Sequence, residues 1–315
     1  VLPQPAHGPP GAVRKGLTMS DHAMSDHAMS DHAMSDHDYA ELREIALRVA
    51  LEAGRLIVDR RPDEIALETK STATDVVTEM DHLAQDHILT ALRSLRPDDG
   101  FVGEEEGETQ LGRSGITWVV DPIDGTVNYL YRIPAYCVSI AAVTGDPLVE
   151  GEWSPVAGAV VNPVSGEAYS AGRGLGAFRS VGGGPEVPLH VSEQGELAQA
   201  LVATGFGYAA DRRAWQAAVL ADLLPDIRDI RRMGSAALDL CRVAEGTVDL
   251  YYERGLNPWD LAAGWIMVTE AGGTVSGGAR PTPGSQMIVA GGNALHDSFV
   301  DRLEQAVRAI DVTSA

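Results

Sequence analysis

Apolar residues recur at regular spacings over most of the chain, but not over its first 37 residues. From 39 to 61 they fall three or four positions apart, which predicts a helix, and the same spacing predicts a second helix over 79–95. In the opening segment Met-Ser-Asp-His repeats every five residues, a period that fits neither a helix nor a strand. We therefore predict a disordered tail over 1–37 and a folded domain over 38–315.

Short apolar runs between glycine, proline and polar turn residues predict strands at 101–103 and 116–120 and a strand-rich stretch over 136–179. Beyond residue 200, short apolar runs alternate with helical spacing up to the C-terminus. Helices followed by many strands indicate an α+β first half, and the later alternation indicates α/β layers. We expect an α/β fold with subdomains at about 38–204 and 205–315.

The composition argues against several classes of protein. The 315 residues carry a formal charge of -21, which is unsuited to coating nucleic acid or an anionic membrane. Two cysteines, Cys137 and Cys241, are too few for a disulfide scaffold or a thiolate zinc site. No run approaches the ~20 apolar residues that span a bilayer, and the opening residues lack the apolar segment of a signal peptide. We expect a cytoplasmic protein with no membrane or nucleic-acid partner.

Basic residues are distributed unusually. The histidines of the tail repeat could bind a transition metal loosely, although a disordered repeat is the interpretation we favour. Lysine occurs only at Lys15 and Lys70 in a chain that otherwise uses arginine. Lys70 is therefore a candidate for a compact point charge in a site, the alternative being a solvated surface lysine. Arginines between 212 and 232 could contact a phosphate or a dimer partner, although a solvated surface is the favoured interpretation.

Acidic residues stand beside glycine or proline at the ends of several predicted strands. Glu104 and Glu105 follow the strand at 101–103, and Asp121 follows the strand at 116–120. Asp75 and Asp81 bracket a short apolar run, and Asp260 opens an apolar helix. Because carboxylates gathered at strand ends repel one another, we expect cations among them. A chain of charge -21 also needs interposed cations to hold an anionic substrate, so metal-bridged phosphate chemistry meets both demands.

The segment from Asp121 to Thr126 carries the strongest local signal. We predict that Pro122 stops the strand and turns the chain, so that Asp121 and Asp124 face one point. Gly125 and Thr126 would start a helix, whose free amides suit a phosphate. Carboxylate, carbonyl and hydroxyl oxygens select Mg²⁺, Mn²⁺ or Ca²⁺ over zinc. The alternative is an aspartate-rich turn in which Asp124 caps the helix.

Four stretches, in order, carry a resemblance to a known family: 70–81, 103–105, 118–128 and 259–273. In them the chain resembles the inositol monophosphatase family, the magnesium-dependent and lithium-sensitive phosphatases. The resemblance covers the chain from about Tyr39 to the C-terminal helix. It implies a layered αβαβα sandwich forming a catalytic domain, usually as a homodimer.

The resemblance also implies two to three Mg²⁺ ions per site, with Mn²⁺ as a substitute. One ion would be held by Glu104, Asp121 and the carbonyl of Ile123. A second would be held by Asp121, Asp124 and Asp260, and a third, weaker ion would lie by Glu104.

The catalytic steps implied by the resemblance use a water molecule and no covalent phosphoenzyme. Asp81 and Thr126 would orient and deprotonate the water, and the amides of Gly125 and Thr126 would bind phosphate oxygens. Lys70 would lie at the rim of the site. The extra acid Glu106 beside Glu104 and Glu105 departs from the family pattern.

Substrate contacts are implied at Glu253, for hydroxyl groups, and at the turn with Ser235 and Ala236, while Asp260 would serve substrate and metal alike. For Glu253 the alternative is an acid that caps a strand end. The run Val127-Asn128-Tyr129 resembles the inositol-phosphate branch and supports myo-inositol 1-phosphate as substrate. Fructose 1,6-bisphosphate, histidinol phosphate and nucleotide 3′-phosphates stay open as alternatives.

A role of a different class is a regulatory binding protein, since some bacterial members of the family also bind the transcription machinery. A pure binding protein has no need of Glu104, Asp121, Asp124 and Asp260 together. Their joint presence favours the enzyme.

Overall fold

The computed structural model of the chain describes residues 36–62, 67–69, 76–105, 109–110 and 112–314. The predicted tail up to residue 35 lies outside the described residues, as do Lys70, Asp75 and Glu106. The described residues belong to one compact unit. The division into subdomains near residue 204 stays a prediction.

Helices and strands lie close to the predicted positions, and the first helix begins at Asp36, inside the segment assigned to the tail. In the described ranges the helices are α1 (Asp36–Asp59), α2 (Glu79–Leu95), α3 (Thr126–Tyr131), α4 (Ala210–Leu223), α5 (Ala236–Ala244), α6 (Pro258–Glu270) and α7 (Asn293–Ser314). The strands are β1 (Leu67–Thr69), β2 (Val76–Thr78), β3 (Gly100–Gly103), β4 (Ile116–Asp124), β5 (Cys137–Gly145), β6 (Trp153–Asn162), β7 (Glu167–Gly172), β8 (Gly176–Val181), β9 (Val187–Pro188), β10 (Leu201–Thr204), β11 (Asp229–Arg231), β12 (Leu250–Glu253), β13 (Thr274–Ser276) and β14 (Ile288–Gly291).

Two large sheets organise these strands. The seven-stranded sheet follows the chain in order from β3 to β9, and its pairs are antiparallel except for β3 with β4. The five-stranded sheet has the order β11-β10-β12-β14-β13, with β11, β10 and β12 parallel. Strands β14 and β13 complete it by antiparallel pairing, and β1 and β2 form a separate antiparallel pair.

Three apolar cores separate five layers. One core joins α1 and α2 to the first face of the seven-stranded sheet. The next lies around α5 and α6, which pack between the two sheets. The third joins α4 and α7 to the far face of the five-stranded sheet. This order of layers, helix, sheet, helix, sheet, helix, confirms the expected αβαβα sandwich.

Burial of the sheets on both faces explains why their strands have nearly continuous apolar sequences. On β12, Tyr251 points into the middle core and the next residue, Tyr252, points into the outer core. In the middle layer Gly264 of α6 lies against Leu240 of α5 so closely that a Cβ atom there would stand 2.4 Å from the leucine Cδ1. Close contact between these two helices therefore depends on a residue without a side chain.

Strand β4 corrects one prediction. It continues through Pro122 as far as Asp124, so the prediction that Pro122 stops the strand was wrong. Pairing with β5 shifts register between Asp121 and Asp124 and resumes where Asp124 pairs with Cys137. A bulge accommodates the proline because the chain there does not need its missing amide hydrogen.

Candidate active site

A cavity of about 360 Å³ opens where β4 and β12 end and α5 and α6 begin. Six acidic side chains contribute to its wall: Glu104, Asp121, Asp124, Asp239, Glu253 and Asp260. We call these residues the cavity acids. The predicted Ile123, Gly125, Thr126, Ser235 and Ala236 also line it. The structure thus brings together the predicted site residues that it describes, with Asp81 lying behind Thr126.

Parallel strands bring Glu104 beside Asp121. Gly103 at the end of β3 pairs with Val120 of β4, and the Glu104 amide donates to the Val120 carbonyl at 3.1 Å. The next residue, Glu105, is buried and does not line the cavity: its backbone amide and carbonyl bond the side chain of Gln85 at 2.9 and 3.1 Å, and its Oε2 lies 3.7 Å from His82 Nδ1. Of these two neighbouring acids, Glu104 is the one that lines the cavity.

Asp124 is held by groups that lie far away in sequence. Its Oδ2 accepts hydrogen bonds from the Ser235 hydroxyl at 2.6 Å and the Ala237 amide at 2.7 Å. Ser235 is also the N-cap of α5, accepting from the Leu238 amide at 3.3 Å. Helix α3 begins after Gly125, whose φ of 93° needs a glycine, and no side chain caps it. The alternative in which Asp124 caps α3 was therefore wrong.

Asp260 lies in the first turn of α6 and belongs to a capping box. Its Oδ2 accepts a hydrogen bond from the Asn257 amide at 2.7 Å, and Pro258 occupies the first turn. Helices α5 and α6 therefore both begin at the cavity. The partial positive charge of each helix N-terminus favours carboxylates there.

Asp81 and Thr126 lie in contact, as a shared role requires. Asp81 is completely buried at the start of α2, and the Thr126 hydroxyl lies 3.4 Å from its Oδ1. The same hydroxyl is 3.1 Å from the Ile123 carbonyl oxygen. A hydroxyl between a carboxyl group and a carbonyl oxygen can relay a proton or fix a water molecule.

Glu253 lines the cavity from the end of β12. The Tyr251 hydroxyl donates to its Oε2 at 2.6 Å. A Cβ atom on Gly205 would stand 1.9 Å from that oxygen, so the glycine leaves the space in which the carboxyl group sits. Burial raises the pKa of Glu253 to about 7, although the Tyr251 hydroxyl and the Arg232 charge act in the opposite direction.

Asp121, Asp124 and Asp260 have raised pKa values for the same main reason. Burial raises the pKa of Asp121 and Asp260 well above the usual range, and the charges of Glu104 and Asp124 add to it. Burial likewise raises the pKa of Asp124 to about 6 against the hydrogen bond from Ser235. A divalent cation would remove this repulsion.

The donor set of Glu104, Asp121, Asp124 and Asp260 fits a hard divalent cation, since all four supply carboxylate oxygens. As they stand, no three His, Cys, Asp or Glu side chains in the described ranges are grouped closely enough to enclose an ion. Asp121 turns Oδ1 to the Ile123 amide at 3.0 Å, and Asp124 uses Oδ2 for its protein donors. Binding an ion would therefore require these side chains to rotate.

Sequence reasoning missed Asp239 and left Arg212 and Arg232 on a solvated surface, yet all three line the cavity. Asp239 follows Ser235 by four positions, and residues at that spacing share a helix face. This spacing was the available signal. Both arginines are exposed, so they are partly solvated as well.

Across the described part of the chain, no helix combines the length and apolar character that a membrane crossing requires.

Known proteins resemble this chain over nearly all of its folded part. The model of the inositol monophosphatase family matches residues 38–308. An inositol-1-monophosphatase of Mycobacterium leprae is 42% identical over 284 residues, covering 85% of this chain and 95% of that protein. The solved structure of Mycobacterium tuberculosis SuhB is 40% identical, has a TM-score of 0.71, and is matched over 97% of its length by 85% of this chain. A protein of Pasteurella multocida named Nus factor SuhB is 39% identical over 73% of this chain and 83% of its own length.

Proposed function

The chain belongs to the inositol monophosphatase family and is a phosphatase; from that premise, we propose that it hydrolyses myo-inositol 1-phosphate with Mg²⁺ to give myo-inositol and phosphate. The observation that carries the proposal is the mixed lining of the cavity. Four carboxyl groups suited to cations line it together with Glu253, whose carboxyl group lies at the end of β12. A phosphate ester of a polyol has complementary ends, one that needs cations and one that needs hydrogen-bond acceptors.

The metal side would hold two to three ions. Glu104, Asp121 and the Ile123 carbonyl would bind one, Asp121, Asp124 and Asp260 a second, and a third would lie by Glu104. Mn²⁺ would substitute for Mg²⁺, because both prefer oxygen ligands. Bound there, the ions would acidify water and neutralise the phosphate.

The chain's own groups would then position the reactants. The Thr126 hydroxyl, between Asp81 and the Ile123 carbonyl, would orient the attacking water, and the Asp81 carboxyl would accept its proton. The amides of Gly125 and Thr126 would bind phosphate oxygens. Lys70 would add a positive charge at the rim.

The substrate side would select a polyol. Glu253 would accept hydrogen bonds from ring hydroxyls, and Ser235, Ala236 and Asp260 would line the space around the ester. The name of the Mycobacterium leprae relative supports inositol 1-phosphate as the ester. We further propose a cytoplasmic homodimer, as the family resemblance implies.

Phosphate release from four esters, with and without Mg²⁺, tests the proposal. The esters are myo-inositol 1-phosphate, fructose 1,6-bisphosphate, histidinol phosphate and adenosine 3′,5′-bisphosphate. The proposal expects release that depends on Mg²⁺, is fastest with the inositol ester, is inhibited by Li⁺ and is lost in Asp121→Asn. Faster release from another ester would identify that ester as the substrate and leave the proposed mechanism unchanged.

A second, binding role has the support of one relative's name, Nus factor SuhB. The same assay separates the two, because a protein with only a binding role would release no phosphate from any ester while staying folded. The enzymatic role is the stronger proposal, since the cavity acids would serve no purpose in a surface contact.

A further inference from the structure

Asp239 is a cavity acid to which no role has been assigned. It lies in the first turn of α5, is 2% exposed, and contributes to the cavity wall. Its Oδ1 is fully buried and has no hydrogen-bond partner among the described residues. A buried polar atom without a partner destabilises a folded protein, so such an atom in a binding cavity needs an explanation.

Other carboxyl groups nearby show that the fold can satisfy a buried acid. Asp124 receives a hydroxyl and an amide hydrogen bond, and Glu253 receives the Tyr251 hydroxyl. Among the cations, Arg232 has the largest electrostatic effect on Asp239, but it makes no ion pair with it in the described part of the chain. Asp239 therefore differs from its neighbours in lacking a donor from the residues that the structure describes.

The position of Asp239 indicates what could supply that donor. It lies on the first turns of α5, close to Ser235 and Ala237, which bind Asp124, and it lines the same cavity as Glu253. A phosphate there would be repelled by these acids, whereas a neutral hydroxyl group would not. Neighbouring carboxyl groups on one wall offer acceptors to two hydroxyls of the same substrate.

We propose that Asp239 is a specificity-determining residue that accepts a hydrogen bond from a substrate hydroxyl group adjacent to the one bound by Glu253. The assignment rests on the proposed function, and it names the substrate class as monophosphates of polyols with at least two neighbouring free hydroxyl groups. It holds in either protonation state, since a neutral carboxyl group keeps an acceptor oxygen. Burial and the charge of Glu253 raise the pKa of Asp239 well above its usual range, which suits a carboxyl group that binds a neutral hydroxyl.

The test compares Asp239→Leu and Asp239→Asn with the wild-type full chain in Mg²⁺. Leucine has a similar shape and no acceptor, whereas asparagine keeps one acceptor oxygen. The substrates are myo-inositol 1-phosphate and p-nitrophenyl phosphate, which has no hydroxyl group. The matched control is Asp301→Leu, which changes an exposed aspartate on α7.

We expect Asp239→Leu to lower kcat/KM for the inositol ester by about 10- to 100-fold. For p-nitrophenyl phosphate the change should stay within about twofold, because that ester has no hydroxyl to lose. Asp239→Asn should recover most of the lost kcat/KM, and Asp301→Leu should leave kcat/KM unchanged for both esters. The melting temperature of Asp239→Leu should equal or exceed that of the wild type, because the substitution removes a buried atom without a partner.

An equal loss with both esters, or no loss with either, overturns the assignment while the proposed function stands. A fall in melting temperature together with an equal loss shows a structural role and overturns it as well. If the wild type prefers another polyol phosphate, that ester takes the place of the inositol ester in the test. A larger loss of kcat/KM for it than for p-nitrophenyl phosphate supports the assignment, and an equal loss overturns it. If the wild type releases phosphate from no ester, the proposed function fails and the assignment fails with it.

Discussion

Two groups of acids in this protein, one part-buried and one buried, have their negative charge balanced in different ways. Between β7 and α5, the part-buried Glu167 and Glu245 bind Arg242 at 2.8 and 2.7 Å. Arg179 contacts both acids at 3.2 Å, and the Tyr169 hydroxyl lies 3.1 Å from Glu245. We call these five residues the arginine cluster. Its negative charges are balanced by the chain itself.

Three of the cavity acids have no such balance in the described ranges. Asp121, Asp124 and Asp260 make hydrogen bonds there with amides and hydroxyls but no ion pair. The pKa values of these three acids are raised, whereas that of Glu167 is lowered. Burial alone would raise the pKa of Glu167, but hydrogen bonds from Arg242 and Ser165 outweigh it. The difference teaches that the fold can neutralise acids with its own cations, and that Asp121, Asp124 and Asp260 are suited to cations from outside.

The largest expected effect is that of Asp121→Asn on activity. The charges of Glu104, Asp124 and Asp260 all act on Asp121, so asparagine there would remove one carboxylate oxygen and the negative charge that both ions would share. We expect kcat/KM to fall by about 10³- to 10⁴-fold, with metal-free stability unchanged or increased. Phosphate release and urea unfolding measure the two effects. Activity within tenfold of the wild type would contradict the proposed metal role.

Arg242→Met should break the arginine cluster. It leaves the part-buried Glu167 and Glu245 with only Arg179 between them, and both acids lose a charged partner. We expect the free energy of unfolding to fall by about 3 kcal/mol, the lower end of the range for buried pairs. Arg308→Met, at an exposed pair on α7, is the control and should change it by less than about 0.5 kcal/mol. A loss below about 1 kcal/mol for Arg242→Met would mean that the cluster contributes little.

The pH dependence of stability should have opposite signs in the two groups. The pKa of Glu253 rises from 4.5 to about 7 on folding. Its contribution is therefore greatest below pH 4.5 and is lost as the pH rises to 7, by about 3 kcal/mol. The pKa of Glu167 is lowered, so its contribution is present above pH 4.5 and is lost as the pH falls.

Urea unfolding of the metal-free protein at pH 5 and pH 7.5 measures this dependence. In Glu253→Gln the fall between the two pH values should be smaller than in the wild type by most of that amount. An identical fall in the variant would show that Glu253 titrates normally.

Adding Mg²⁺ should give the smallest of these effects, and it should distinguish the cavity acids from the arginine cluster. An ion that binds only the folded state at 100 times its dissociation constant adds about 2.7 kcal/mol. We expect Mg²⁺ to raise the melting temperature of the wild type and of Arg242→Met equally. It should have little effect on Asp121→Asn. A rise of the same size in all three would place the stabilising ion outside the cavity.

Sequence reasoning found what depends on local order along the chain. The alternation of strands and helices predicted the layered fold, and strand ends predicted Asp121, Asp124 and Asp260 as neighbours in one site. Helix α2 was predicted with the bounds it has in the structure, because its apolar spacing and flanking residues are both clear. Lys70 and the tail, outside the described residues, stay predictions.

What sequence reasoning missed depends on contacts between distant segments. Asp124 bonds groups 111 and 113 positions away, so nothing near it distinguishes a helix cap from an anchored ligand. The bulge at Pro122 depends on the register with β5, and Asp239 gains significance only once Glu253 stands beside it. The short strand β13 went unpredicted because three residues carry too little pattern.

The start of α5 and α6 at the cavity has a consequence for motions of the protein interior. Both helices continue between the two sheets. Their first turns, which would lie next to a bound ion, are therefore ends of the central layer. Local opening of these turns would break the hydrogen bonds to Asp124 and Asp260, and occupancy of the cavity should therefore suppress it. Amide hydrogen exchange at Ala237 and Leu238 should slow when ligands bind, while amides on the outer helices α1 and α7 keep their rates. Amide exchange rates in the central helices would then show whether the solvent-open cavity is occupied.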